Sequence, residues 1–337
     1  MSPDIFFYIP REFWPDRLPA SSAENWSGFG LGIYAWTVQT YLKLSEAGIA
    51  CQLTHQFPDQ GIVLFHGNAV RTGNICPGPK RLLVCLKAES TLCRQAQLHV
   101  VQNPGEVSRV LGCYFIPHWP QPGLKPRLKE RQNRFETIAF LGHRNSLATE
   151  LMTPAWQLQL RQRGLTWQPV INTNVWDSHQ SIDTGWNDYQ QIDAIVAIRQ
   201  FGLTRPGFRR KPATKLYNAW LAGVPAILGR EIAYRATGTA EVNYLEANAM
   251  AELLSCLNRL QQDEVLRNRL VKKGQLRALQ YTPEVITQRW QQFLSQVVIP
   301  TYQDWCSQSN WQRQIQYGWA KGVHYCDLIQ RRLSKQT

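Results

Sequence analysis

No apolar stretch in the sequence approaches the roughly 20 residues that a membrane-spanning helix needs, so no such span is expected. The opening residues, MSPDIFFYIPREFW, lack a basic segment leading into an apolar run and a small-residue cleavage site; no secretory signal is expected. The eight cysteines are scattered, with no C-x-x-C pair and no histidine at ligand spacing. That speaks against a zinc module or a disulfide framework and for free thiols in a reducing compartment, with a cytoplasmic location. Acids are scarce: 24 Asp and Glu stand against 37 Lys and Arg, for a formal net charge of +13. There is no D-x-D-like metal motif, no G-x-G-x-x-G fingerprint and no internal repeat.

What is present supports a folded enzyme-sized chain. With 337 residues and 44% hydrophobic composition it can bury two cores, and 13 Trp with 12 Tyr exclude a disordered or low-complexity chain. The charge is unevenly spread. Residues 1–100 hold eight Lys and Arg against seven Asp and Glu, whereas Arg199 to Arg235 holds eight cations and one acid, Glu231. A focused positive field of this kind attracts phosphate groups of a small ligand, anionic lipid headgroups or nucleic acid. Without a zinc spacing, an RRM-like aromatic motif or a basic repeat, nucleic acid is not an expected partner.

Short apolar runs alternate with helical patterns. Ile5–Ile9, Cys51–Leu53, Ile62–Phe65, Leu82–Leu86 and Leu98–Val101 read as parallel strands of a first doubly wound domain. Between the first two lie a glycine loop, Ser27-Gly28-Phe29-Gly30-Leu31-Gly32, and a helical stretch from Ile33 to Ala47. The loop either contacts a ligand or serves fold geometry alone. Residues 114–126, with four prolines, read as an interdomain crossing in which His118 and Trp119 either lock the chain or touch substrate. A second alternation follows: strand Thr137–Leu141, turn Gly142-His143-Arg144, helix from about Leu147 to Arg163, and strand Trp167–Ile171. Asp177–Tyr189 reads as loop, Ile192–Ile198 as a buried strand ending at Arg199, and Val224–Leu228 as another strand. Helices are expected over Asn248–Leu260 and Asp263–Leu279, with a helical tail from Pro283.

The chemistry concentrates at 211–229, KPATKLYNAWLAGVPAILG. On a helix from Pro212 or Ala213 to Ala222, closed by Gly223, Leu216, Ala219 and Trp220 share the face that packs on a sheet. Lys215, Asn218 and Ala222 share another. A phosphate at the helix start would have Lys211 and Lys215 beside it, with Asn218 within reach of a ligand hydroxyl. The alternatives are solvent-facing cations and an asparagine bonded to a neighbouring loop. Arg199 either meets the ligand or pairs with an acid, and His143 and Arg144 either face the site or form an ordinary turn. Glu231 either orients Arg230 or Arg235, or binds a sugar hydroxyl.

The 211–229 segment resembles the donor-binding stretch of GT-B glycosyltransferases, and more narrowly a group of bacterial, often cyanobacterial, glycosyltransferase-like proteins. The blocks LVCLKAE (83–89), HVVQNP (99–104), IPHWPQPGL (116–124) and FLGHRNSL (140–147) resemble the same group. The resemblance implies an α/β fold with two Rossmann-like domains facing across a cleft: residues 1–118 as the acceptor domain, 119–134 as linker, 135–300 as the nucleotide-sugar domain, and 301–337 as helices packing back on the first domain. It implies transfer of a sugar from a nucleotide diphosphate-sugar to a hydroxyl on a glycan or glycolipid, in cell-surface polysaccharide or glycolipid synthesis, with no cofactor and no metal. Gly142, His143, Arg144, Arg199, Lys211, Lys215, Asn218 and Glu231 would form the donor site, and Gly28 and Gly30 a loop on the cleft. The basic stretch would also suit peripheral contact with the anionic inner face of a membrane.

One family pattern is missing. The paired glutamates of many retaining members would fall at Arg210 and Asn218, neither acidic here. An inverting enzyme needs a base about 3 Å from the acceptor hydroxyl, for which Asp16, Glu24, His66 and Glu89 are first-domain candidates. A non-catalytic nucleotide-sugar or glycan binding protein with a retained GT-B shell is the competing reading.

Overall fold

The structure, a computed structural model, describes residues 3–72, 75–173, 184–202 and 206–315, together with 318 and 322. Its chain divides into two compact units, one of residues 3–22, 32–117 and 284–315, the other of 23–31 and 118–283.

The first unit is built on a parallel sheet of β1 (Ile5–Tyr8), β2 (Gln52–Thr54), β3 (Gly61–His66), β4 (Arg81–Leu86), β5 (Leu98–Val101) and β6 (Cys113–Phe115), in the order β2-β1-β3-β4-β5-β6. Every residue of β3 is buried, as a strand covered on both faces must be. The expected helix over 33–47 is two helices, α1 (Gly32–Trp36) and α2 (Val38–Glu46). They meet at Thr37, whose hydroxyl bonds back to the Ile33 carbonyl and competes with the regular ladder.

The second unit carries β7 (Thr137–His143), α3 (Pro154–Arg161), β8 (Thr166–Asn172), β9 (Ala194–Ala197), α4 (Thr214–Ala222), β10 (Ala226–Leu228), α5 (Ile232–Thr237), β11 (Leu245–Glu246), α6 (Met250–Gln262) and α7 (Glu264–Ala278). Its parallel sheet has the order β11-β10-β9-β7-β8. The helix expected from Leu147 starts instead at Pro154. Proline favours the first helical position over an interior one, and Thr153 caps the start by accepting from the Trp156 amide at 3.3 Å. Within 177–189, residues 177–183 lie outside the described residues, and Thr184–Asn187 form a 3-10 turn.

Residues 119–134, expected as a linker, are part of the second unit. The Arg127 amide donates to the Ala222 carbonyl at 2.9 Å and the Leu128 amide to that of Gln190 at 3.1 Å. Below β9, the buried Asp193 carboxylate accepts from Arg127 Nε (3.1 Å) and Nη2 (2.8 Å), from Arg131 Nε (2.8 Å) and Nη2 (2.5 Å), and from the amides of Glu136 and Thr137, both 2.9 Å. Burial alone would raise this carboxyl. The bonds from Arg131, the two amides and Arg127 outweigh it and hold Asp193 below the ordinary carboxylate range.

The last helices, α8 (Pro283–Phe293) and α9 (Ile299–Ser307), belong to the first unit, so residues 284–300 are not part of the second. Among the described residues the connections β3–β4 and β4–β5 hold no α-helix. The sheet there is covered by α9, which packs on β3 and β4 and is fixed by a bond from Trp305 Nε1 to the Gly78 carbonyl at 2.8 Å. Residues beyond 315 lie outside the described residues, 318 and 322 excepted.

Candidate functional site

In the second sheet the strand order reverses between β7 and β9, and ligands of open α/β sheets gather outside the carboxyl ends at such a switch point. β7 ends there in Gly142-His143, and β9 leads through Ile198 to Arg199. A third element brings Lys215, in the first turn of α4. Its Nζ lies 2.8 Å from where a Cβ on Gly142 would sit, and 5.2 Å from the centroid of the Phe140 ring. Gly142 has a φ of +150°, so both its backbone and its missing side chain make room for the ammonium.

α4 is placed by its apolar face. Leu216, Ala219 and Trp220 are buried as expected, Trp220 Nε1 donates to the Asn243 carbonyl at 2.7 Å, and Gly223 ends the helix at φ +72°. Gly274 of α7 allows the close approach, since a Cβ there would lie 2.3 Å from Trp220 Cδ1. The helix begins at Thr214, with no side-chain cap from Ala213, and Lys211 lies on the segment leading into it.

Asn218 is committed to backbone: its Oδ1 accepts from the Gln121 amide at 3.1 Å. One residue earlier, the Tyr217 hydroxyl donates to the His118 carbonyl at 2.6 Å. Together they fasten the proline-rich segment to α4, and Trp119 is fully buried within it.

The glycine loop belongs to this unit and not to the first domain, as its sequence position had suggested. His143 Nε2 lies 3.1 Å from the Gly30 carbonyl, and Asn25 Nδ2 donates to the Thr184 carbonyl at 2.9 Å. Gly28 answers a packing demand, because a Cβ would overlap the Trp26 ring at 2.2 Å. Arg144 is exposed and bonds Met152 Sδ at 2.8 Å.

Arg199 and Glu231 form a buried ion pair, joined by the Tyr234 hydroxyl 3.3 Å from Arg199 Nη1. Glu231 therefore orients Arg199, and not Arg230 or Arg235, the partners that one of its two expected uses gave it. Those two bind Glu246, at 3.1 Å and 2.6 Å. Burial raises the Glu246 carboxyl, but bonds from Arg235 and Arg230 hold it below its ordinary value. The positive field of 199–235 is thus partly neutralised from within, by Glu231 and by an acid outside the segment. Arg205 lies outside the described residues. Glu231 Oε1 is buried and makes no hydrogen bond.

Of the four candidate bases, His66 is buried at the carboxyl end of β3, its Nδ1 accepting from the Asn68 amide at 3.2 Å. Asp16 and Glu89 are exposed, and Glu24 lies in the segment that joins the second unit, not the first. Sequence reasoning missed a buried pair at neighbouring strand ends of the first unit, Lys87 and Glu106 at 2.7 Å. Lys87 sits inside the 83–89 block, but nothing in the sequence pairs it with a glutamate beyond β5. Among the described residues no group of three or more His, Cys, Asp or Glu could hold a metal ion, and no helix is long and apolar enough to cross a membrane.

No protein-family model and no curated protein sequence matches the chain. Among solved structures it is similar to Anabaena Alr3699/HepE in complex with UDP, at 14% identity and a TM-score of 0.51 over 88% of this chain and 100% of that one. The same protein with UDP-glucose gives 12% identity and 0.52, and with UDP and glucose 14% and 0.52, with the same coverage. At such identity the likeness is one of fold, and that fold is α/β with two Rossmann-like domains, the architecture of GT-B type glycosyltransferases.

Proposed function

We propose that the chain is a glycosyltransferase that moves a sugar from a nucleotide diphosphate-sugar to a hydroxyl of a glycan or glycolipid, in cell-surface polysaccharide or glycolipid synthesis. The observation that carries this reading is the Lys215 ammonium held over Gly142 at the switch point of the second sheet. When the glycosidic bond breaks, the departing nucleoside diphosphate gains charge, and a fixed cation in a dry site stabilises that charge more in the transition state than in the ground state. Lys215, with Lys211 on the approach to the same helix, supplies it without a metal. The fold relative solved with UDP and with UDP-glucose supports a uridine nucleotide as the first ligand to try.

Arg199 serves this site indirectly. Bonded to Glu231 and Tyr234, it stiffens the strand ends that flank the phosphate position. His143 has a similar part, holding the glycine loop through Gly30. The acceptor hydroxyl must still lose a proton, and His66 is the first-unit candidate set at a strand end.

A second reading, a nucleotide-sugar binding protein without transfer, is favoured by Asn218. It stands where a retaining enzyme would carry its later glutamate, and its carboxamide oxygen is bonded to the Gln121 amide. Binding of UDP-, GDP-, CDP- and TDP-sugars, with Lys215→Ala alongside, tests the common part of both. One nucleotide class should bind, and the variant should weaken it by about tenfold or more. Absence of binding in folded protein would sink both readings. Donor consumption with acceptor glycans present, or its absence, separates the two. A cytoplasmic protein resting on an anionic membrane face fits a lipid-linked acceptor; co-sedimentation with anionic vesicles tests that part alone.

A further inference from the structure

Helix α7 carries apolar side chains on two opposite faces. Leu266, Leu270, Gly274 and Ala278 form the buried one, and the helix packs on α4 and α6. The tight fit of Gly274 against Trp220 fixes which side points outward. At about 100° per residue, Val265, Arg269, Lys272, Leu276 and Leu279 fall within an arc of about 80° on that outer side. Val265 is 77% exposed, Leu276 56% and Leu279, at the C-terminal cap, 63%. Arg269 and Lys272 are exposed between them, with exposed Lys273 at the edge of the arc. None of these positions is acidic. Ion pairs among the described residues take up Arg230, Arg235 and Arg259, but not Arg269, Lys272 or Lys273.

We propose that this outer face of α7 docks the protein on an anionic lipid bilayer, with the helix lying along the surface. A helix that is apolar on both sides needs a second apolar environment once one side is packed. Laid flat, Val265, Leu276 and Leu279 enter the boundary between headgroups and acyl chains. The long stems of Arg269, Lys272 and Lys273 keep their charges at the headgroups.

Other occupants use the stripe less well. In a seam with a partner helix, Arg269 and Lys272 would sit mid-stripe among the aliphatic side chains and lose water at high cost. Nucleic acid would meet the cations and leave three exposed aliphatic side chains without a role. The inference rests on the membrane contact in the reading above. It moves that contact from 199–235, where Arg230 and Arg235 already hold Glu246, to the cations of α7.

Co-sedimentation of the whole protein with vesicles tests the assignment, using phosphatidylcholine with about one-third phosphatidylglycerol against phosphatidylcholine alone. Binding is expected on the anionic vesicles only, and it should weaken about fivefold for each cation removed in Arg269→Gln and Lys272→Gln. Leu276→Ser combined with Leu279→Ser should weaken it about tenfold, with the fold checked by urea unfolding. Arg230→Gln combined with Arg235→Gln should have a smaller effect than either α7 pair. Equal binding to neutral vesicles, full binding by either α7 pair, or a greater loss from the Arg230 and Arg235 pair would each overturn the α7 assignment. No binding to any vesicle would end the membrane reading with it. In the unaltered protein, acetic anhydride should acetylate Lys272 and Lys273 more slowly on anionic vesicles. An unchanged rate would overturn the assignment even if the variants do not fold. Nucleotide-sugar binding should be the same in the α7 variants as in the unaltered protein, so loss of docking and loss of the donor site are read separately.

Discussion

Lys215 Nζ occupies the space a side chain on Gly142 would need, 2.8 Å from its Cβ position. The strand end and the helix start are therefore mutually specified: the glycine exists for the lysine. Gly142→Ala should displace the ammonium and strain a backbone at φ +150°. Nucleotide-sugar affinity is expected to fall about as far as in Lys215→Ala, with about 1–3 kcal/mol lost from stability. Calorimetric titration with chemical unfolding checks both. Unchanged affinity would separate Lys215 from the site.

The Arg199–Glu231 pair makes different predictions for single and double substitution. Glu231→Gln leaves a buried guanidinium without its counter-charge and should cost about 3–5 kcal/mol. Combining it with Arg199→Met removes both charges and should recover most of that loss. Urea unfolding of the three variants gives the coupling directly.

Asp193 ties the segment 127–137 to the foot of β9. Its carboxyl is depressed in the folded protein, so the unfolded chain binds the proton more readily. The stability it contributes is complete above the ordinary aspartate value of 3.8 and is lost as pH falls through the lower folded value. Asp193→Asn should cost about 3–5 kcal/mol at neutral pH and flatten the acid limb of the stability curve. An acid limb of unaltered slope in the variant would assign that proton uptake to another group.

Gly274 lets α7 close on Trp220, the residue that seats α4 and hence Lys215. Gly274→Ala would place a Cβ 2.3 Å from the indole, with an expected cost of about 1–3 kcal/mol from overpacking. Thermal melting measures it. Because α4 must shift, ligand affinity should fall too, although residue 274 is on another helix.

Ala88, just past β4, has a φ of +48°, a left-handed conformation that glycine adopts without the Cβ penalty. Ala88→Gly should stabilise the protein by up to about 1 kcal/mol, readable as a higher midpoint in urea.

Much of the architecture was legible in the chain itself. Buried parallel strands are covered on both faces, so β3, β4 and β9 declare themselves as unbroken apolar runs. Helix α4 declared its extent through apolar spacing and the closing Gly223. Two short edge strands, β6 and β11, leave no such trace: they have only three and two residues, and their pairing depends on neighbours distant in sequence. Pro154 did mark the start of α3, but the apolar residues before it imitate helical spacing.

The candidate site divides along the same line. The sequence alone determined that cations crowd 199–235 and that Lys215 lies at a helix start, because both are local properties. Tertiary structure decided which of those cations are already partnered. Glu231 reaches Arg199 across adjacent strand ends, Glu246 reaches Arg230 and Arg235 from β11, and the glycine loop joins the second unit through His143. Charge and spacing along a chain describe what a residue can do. Only packing, which brings Gly142 under Lys215, selects the partner with which it does it.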